Sequence, residues 1–377
     1  MDKDLIKTLS IIDEHNSDAC FLSENALSNF TECYDTGCYA LNAILTGDLR
    51  NGGVPQGRII GFSGESGTGK TLITGKILAN AQKKGVVPVI FDSEIAVDKN
   101  SVRGVGLDPS KVKYVPIDTI EKCRNQVGAL LDKVIANNQH GKIIICIDSL
   151  GNLASQKEID DALKDKSAVD MGMRAKALKS MLRTLTYKAA KAQVSIIFVN
   201  HTYSDPGAMY PTLIKSQAGG SGPVYMASIL VQLAKRNEKS GEGEVGAIED
   251  NTLSEANKYS GVTLRALTAK NRFIPQFLEV EMYLSFKNGL NKYSGLLAMA
   301  TARGIVIQGG STYTVGKDGG KYKAGDKLGY AKNFTKDPAF YEEFIIPALD
   351  EALKTDYRYH QASDDDVVEA DDTVEAE

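Results

Sequence analysis

Apolar and polar positions along this chain change their rhythm near Gly57. Up to about residue 45 they suggest short helices with polar breaks, ending near Leu41–Leu45. From Gly57 the pattern becomes strand, Gly-rich turn, helix. A strand is predicted at Arg58–Ser63 and a helix from roughly Gly69 to Lys84. Pro88–Phe91 reads as a second strand ending in Asp92-Ser93-Glu94, and Lys113–Pro116 as a short third one. Ile120–Ala136 is amphipathic and helical. Ile143–Ile147 and Ser195–Val199 are unbroken apolar runs, as in strands covered on both faces. Between them lies a long basic helix, Ala168–Lys191. Further strands are predicted at Ile229–Leu233, Val262–Lys270 and Phe277–Tyr283. Alternating strands and helices predict an α/β fold, a mostly parallel sheet with helices on both faces. Thr202–Pro223 and Asn237–Tyr259 read as long polar loops, and loops that long are functional or disordered. Tyr293–Leu353 has its own helix–strand–strand–helix rhythm and predicts a small separate unit.

Charge alters this picture at one end. The net charge is −4, but Asp364–Glu377 carries eight acids and no Lys or Arg. Without it 44 bases face 40 acids, a mildly basic body that suits contact with a polyanion regulated by the tail. A solubilising disordered tail is the plainer alternative. The five cysteines form no paired framework or zinc spacing. Charges at Asp2, Lys3, Asp4 and Lys7 argue against a signal peptide, and no apolar run is long enough to span a membrane. The expectation is a cytoplasmic protein.

Candidate chemistry begins with Gly64-Glu65-Ser66-Gly67-Thr68-Gly69-Lys70-Thr71, the pattern G-x-x-x-x-G-K-[ST] between a strand and a helix. Backbone N–H groups of such a turn and a helix N-terminus cradle phosphate oxygens. Lys70 supplies a mobile positive charge for β/γ-phosphates, and the Thr71 hydroxyl can ligate Mg2+. Asp148 follows the Ile143–Ile147 run and can hold the same Mg2+; otherwise it is an ordinary turn or cap residue. Glu94 ends a neighbouring strand, where a carboxylate could activate water, although Asp-Ser-Glu also suits a helix N-cap. Asn200-His201 ends a strand before the long loop and could link nucleotide to loop, or serve only a structural hydrogen bond. On the basic helix, Lys176, Lys179 and Arg183 recur at helical spacing; such a stripe neutralises phosphates or is simply a solvated face.

In this order the pieces resemble the RecA family, most closely the UvsX-type recombinases of tailed bacteriophages. The likeness runs from about Tyr39 to Leu349 and is most specific at Ile147-Asp148-Ser149-Leu150-Gly151-Asn152-Leu153-Ala154-Ser155 and Asn200-His201-Thr202-Tyr203. Gly53-Val54-Pro55-Gln56-Gly57-Arg58-Ile59 shares it. It implies a RecA-like P-loop ATPase core over residues 46–285. An N-terminal oligomerisation segment would occupy 1–45, a small α+β C-terminal domain 286–362 and an acidic disordered tail 363–377.

The resemblance places Lys70 and Thr71 on phosphate and Mg2+ ligands, Asp148 on the Walker B acid and Glu94 on the catalytic base. His201 takes a γ-phosphate sensor position where bacterial RecA has Gln, which would make sensing pH-dependent. Met171-Gly172-Met173 resembles the first DNA-binding loop, with Lys176 and Arg183 on phosphate contacts. The second DNA-binding loop corresponds to Thr202–Gly222, including Tyr203 and Gly219-Gly220-Ser221. Lys270 and Arg272 match a basic pair that reaches the neighbouring subunit's ATP. Asp98 and Phe286 fall near the adenine, with Ser101 replacing an aromatic. The implied activity is a DNA-dependent ATPase that forms a helical homopolymer on single-stranded DNA and exchanges strands with homologous duplex. ATP and Mg2+ are the implied cofactors. A phage source would add a recombination mediator and a single-stranded DNA-binding protein. Two alternatives share this core. One is a hexameric helicase, disfavoured by the lack of a separate N-terminal primase-binding domain. The other is a nucleotide-switched scaffold that does not exchange strands.

Overall fold

The computed structural model describes residues 3–21, 24, 27, 30, 32–163, 171–203, 213–239 and 259–357. The acidic tail, the middle of the second loop and most of the 237–259 stretch lie outside those residues.

In chain order the elements begin with α1 (Lys3–His15), β1 (Cys33–Tyr34), α2 (Tyr39–Thr46), β2 (Val54–Pro55), β3 (Ile59–Gly64), α3 (Lys70–Lys83), β4 (Val87–Asp92), α4 (Lys99–Gly104), β5 (Lys113–Pro116) and α5 (Ile120–Ala136). Next come β6 (Ile143–Asp148), α6 (Gln156–Ala162), α7 (Met171–Ala192), β7 (Ile196–Tyr203), β8 (Ser216–Gln217), α8 (Gly222–Met226), β9 (Ile229–Lys239), β10 (Tyr259–Asn271), β11 (Glu279–Ser285) and β12 (Gly289–Leu290). The chain closes with α9 (Leu296–Ala302), β13 (Val306–Gly309), β14 (Thr312–Val315), β15 (Lys327–Tyr330), α10 (Pro338–Phe340) and α11 (Ile346–Asp356).

The main sheet runs β12-β11-β10-β9-β3-β7-β6-β4-β5. From β9 to β5 every neighbour is parallel, as expected, whereas β9, β10, β11 and β12 pair antiparallel at one side. The antiparallel side follows from connection length. Residues 272–278 are too few for a crossover, so β10 and β11 must form an antiparallel pair.

Strand periodicity divides the interior in two. Ile60, Phe62, Ile144, Cys146 and Ile197 face one apolar cluster, which holds α2 and α3. Ile59, Ile145, Ile147, Ile196 and Phe198 face the other, which holds α5 and α7. Successive side chains of a strand point to opposite faces, so an apolar run four or five residues long feeds both cores. Leu349 and Leu353 of α11 join the α2–α3 side, packing the C-terminal unit against the first cluster. Its three strands form a separate antiparallel sheet, β13-β14-β15. β12 still belongs to the main sheet, although it lies beyond residue 286.

Two stretches depart from their expected loop character. β7 extends through Tyr203, and β8 pairs with it at Thr202↔Gln217 and Tyr203↔Ser216. β9 and β10 are 11 and 13 residues long, reaching into the stretch expected as a loop.

Candidate functional site

The parallel strands end on one side of the sheet, and their carboxyl ends present the polar residues. Gly64 closes β3, Asp92 and Asp148 close β4 and β6, and Asn200 and His201 lie near the end of β7. This is where open α/β sheets bind ligands.

The turn Gly64–Gly69 leads into α3, with Gly67 and Gly69 in the left-handed region at φ 71° and 76°. Glycine is the residue that adopts this backbone without strain. Lys70 is buried, and its Nζ donates to the carbonyls of Gly64 (2.9 Å) and Glu65 (2.7 Å). Burial pulls its ammonium below the usual range, opposed by Asp148, Glu94 and Glu65. Thr71 Oγ1 donates to Asp148 Oδ2 at 2.9 Å. Burial pushes the Asp148 carboxyl up to about 6; Glu94 and Asp92 add to this, while the Thr71 hydrogen bond and Lys70 oppose it.

Glu94 Oε1 accepts from Ser149 Oγ at 2.9 Å and lies 3.3 Å from His201 Nε2. The loop bearing Glu94 is held by Asp92, whose buried carboxylate accepts from the amides of Glu94 (2.9 Å), Ile95 (2.8 Å) and Val97 (3.1 Å) and from Tyr114 Oη (3.2 Å). Residues 66–72 of the turn, Glu94, Asp148, Val199 and His201 enclose a cavity of about 240 Å³. A larger cavity of about 690 Å³ adjoins it through Thr71, Glu94 and Asp148 and is lined farther out by Val97, Ser101 and Phe286. Asp98 is not among those lining residues. Its carboxylate caps α4, accepting from the amides of Asn100 and Ser101.

The basic helix divides by role. Arg174 Nε donates to Leu153 O at 3.1 Å, Lys188 pairs with Asp132 at 2.6 Å and Lys191 with Asp18 at 2.7 Å. Lys176, Lys179 and Arg183 are exposed on the opposite side of α7 from buried Leu178, Leu182 and Leu185. Gly172 is exposed in the first turn, and the Met171 side chain lies outside the described residues. Gly219 (φ 80°) sits so close to α7 that a Cβ would fall 2.2 Å from Leu178 Cδ1. Gly220 and Ser221 lie beside it, and Tyr203 is 59% exposed at the near end of the loop. The Gly219–Gly222 end of the second loop thus packs on α7 beside Ala175, Leu178 and Lys179.

Lys270 and Arg272 lie elsewhere. Lys270 Nζ donates to the carbonyls of Val224 (2.8 Å) and Tyr225 (2.6 Å), and Arg272 Nη2 to Tyr225 O (3.2 Å). Arg272 shares a cavity with Gly57, Arg58 and Ile59, at the entry to β3. From there to Gly64 is five strand steps, roughly 16 Å, beyond the reach of an arginine. Burial and Arg272 lower the Lys270 ammonium to about 8.

Sequence reasoning misses Asp92, Ser149 and Tyr114 as the support of Glu94. The Asp92-Ser93-Glu94 trio is the available signal, and it reads equally well as a cap.

A family model of the RecA N-terminal domain matches residues 3–291. The recombination and repair protein of Enterobacteria phage T4 is 31% identical over 272 residues, covering 71% of this chain and 63% of that protein. Protein RecA of Leptospira meyeri is 27% identical over 309 residues, 80% of this chain and 72% of the relative. Protein RecA of Paracoccus denitrificans is 26% identical over 326 residues, 86% of this chain and 82% of the relative. The chain therefore spans less than two thirds of the phage relative's length and more of the bacterial ones.

Proposed function

The chain belongs to the RecA family, and on that premise we propose that it is a DNA-dependent ATPase that polymerises on single-stranded DNA and exchanges strands with homologous duplex. The observation that carries this is the separation of two parts. Lys70, Thr71, Glu94, Asp148 and His201 gather around one cavity, while Lys270 and Arg272 sit at the other end of the sheet. Cations so placed can meet a nucleotide only on a second copy. ATP binding and assembly are then one event, linked by the affinity each gives the other.

Residues 64–71 and Lys70 hold the triphosphate of ATP. Thr71 and Asp148 would hold Mg2+, which neutralises charge developing on the phosphates. Their fit is supported by a hydroxyl and a carboxylate converging within 2.9 Å. Two protein oxygens suffice, because Mg2+ takes its remaining ligands from phosphate and water. Glu94 orients the attacking water and accepts its proton, and His201, bonded to Glu94, follows the γ-phosphate. Ser101 and Phe286 flank the nucleoside, with Asp98 shaping that wall through α4.

Lys176 and Arg183 neutralise strand phosphates, with Met171, Gly172, Tyr203 and Gly219-Gly220-Ser221 completing the contact. Contacts of this kind hold any sequence, so base pairing alone reads homology. Residues 1–45 form the oligomerisation segment, 46–285 the ATPase core, 286–362 the C-terminal domain and 363–377 an acidic tail. No helix among the described residues is long and apolar enough to cross a membrane, and the proposed setting is cytoplasm. A mediator and a single-stranded DNA-binding protein are its proposed companions.

Electron microscopy on long single-stranded DNA with Mg2+ and a slowly hydrolysed ATP analogue tests the reading. Extended helical filaments that vanish without nucleotide support it. Six-membered rings threaded on DNA would make the protein a helicase.

A further inference from the structure

One charged contact ties the phosphate loop to the second loop. Lys215 Nζ lies 2.5 Å from Glu65 Oε1. Glu65 is the second residue of the phosphate turn, and Lys215 immediately precedes β8, where the chain returns from the second loop to pair with β7. Neutral bonds run alongside. Gln217 Nε2 donates to Ser63 Oγ and Asn200 Nδ2 to Gln217 Oε1, each at 3.2 Å. Lys215 N donates to Gln232 Oε1 at 2.8 Å. These bonds fix where the stem sits beside the turn.

The ion pair differs in kind. Its side chains are 58% exposed at Glu65 and 35% at Lys215, so it adds little to the fold. It is nonetheless the dominant influence on Glu65, whose carboxyl Lys215 holds below the usual range, with Lys235 and Lys70 adding. A triphosphate in the turn brings several negative charges beside Glu65 and competes with it for Lys215. Nucleotide and loop stem therefore share one cation.

We propose that Lys215 is a positioning residue that reports occupancy of the phosphate turn to the second loop through Glu65. The inference rests on the reading above, that this loop holds single-stranded DNA. Coupling between sites is reciprocal, so DNA on the loop must act back on the nucleotide through the same pair.

The test is the ratio of ATPase rates with and without single-stranded DNA, for wild type, Lys215→Arg, Lys215→Glu and the charge-swapped double variant Glu65→Lys/Lys215→Glu. With ATP saturating for each variant, the ratio for Lys215→Glu should fall roughly two- to five-fold, the scale of an exposed ion pair. Lys215→Arg should retain the stimulation and the swapped pair recover most of it. An unchanged ratio in Lys215→Glu would overturn the proposal. So would a loss that the swap does not recover, because Lys215 would then act on DNA directly. A wild-type ATPase indifferent to DNA would instead remove the recombinase reading beneath it.

Discussion

Glu94 accepts a hydrogen bond from Ser149 on the same oxygen that faces His201, so two neighbours fix the orientation of one carboxylate. General-base catalysis contributes factors of about 100–10,000. Glu94→Gln should therefore slow hydrolysis by about 100-fold or more, with ATP still bound and filaments long-lived by light scattering. Rapid disassembly of that variant would take the role away from Glu94. Lys270 has a pH signature of its own. Its folded pKa of about 8 lies below the ordinary 10.5. Between those values the unfolded chain holds a proton that the folded one lacks, so its contribution to stability is present above 10.5 and lost as pH falls to 8. Half-exposure reduces the effect to about 1–2 kcal/mol. In urea unfolding of the nucleotide-free protein, the stability difference should shift toward Lys270→Met by that amount between pH 10.5 and 8, then stay flat. A constant difference across that window would show Lys270 to be as well solvated as a free lysine.

At the scale of elements, the loop after β4 depends on Asp92. Asp92→Ala would leave three amides and the Tyr114 hydroxyl without their acceptor, costing about 2–4 kcal/mol. Because the loop carries Glu94, the loss should appear in kcat more than in KM; a pure KM effect would separate Asp92 from the base. Elements with strong local rules are the legible ones. β5 and α5 lie at their expected bounds, with Thr119 capping α5 by accepting from the Lys122 amide. The inner parallel strands β3, β4, β6 and β7 are readable because both faces are covered. β9 is less so beyond Leu233, since its outer half carries polar and charged residues such as Lys235 and Arg236 that resemble loop composition. At the site, the phosphate turn is plain from its glycines. The Glu65–Lys215 contact joins residues 150 apart, and no local pattern marks it.

At the scale of the whole molecule, α1 carries a run of exposed apolar side chains. Leu5, Ile6, Leu9, Ile11 and Ile12 are each at least 38% exposed along it. An apolar stripe left uncovered marks an association surface. Removing residues 1–15 should leave the unfolding midpoint of the monomer nearly unchanged and abolish nucleotide-dependent assembly in sedimentation. A large drop in that midpoint would mean α1 serves its own core.

On the proposed trans role, the placement of Lys270 and Arg272 at the far end of the sheet would give any polymer of this chain a direction. If the pair meets the neighbour's nucleotide as proposed, each joint sets one molecule's cation pair against the next molecule's phosphate turn, and the two tips are unlike. One tip carries a nucleotide with no cations over it; the other offers cations with nothing to receive them. A run of n molecules then holds n−1 finished sites, short runs waste the largest share, and growth and shortening proceed at different speeds from the two tips.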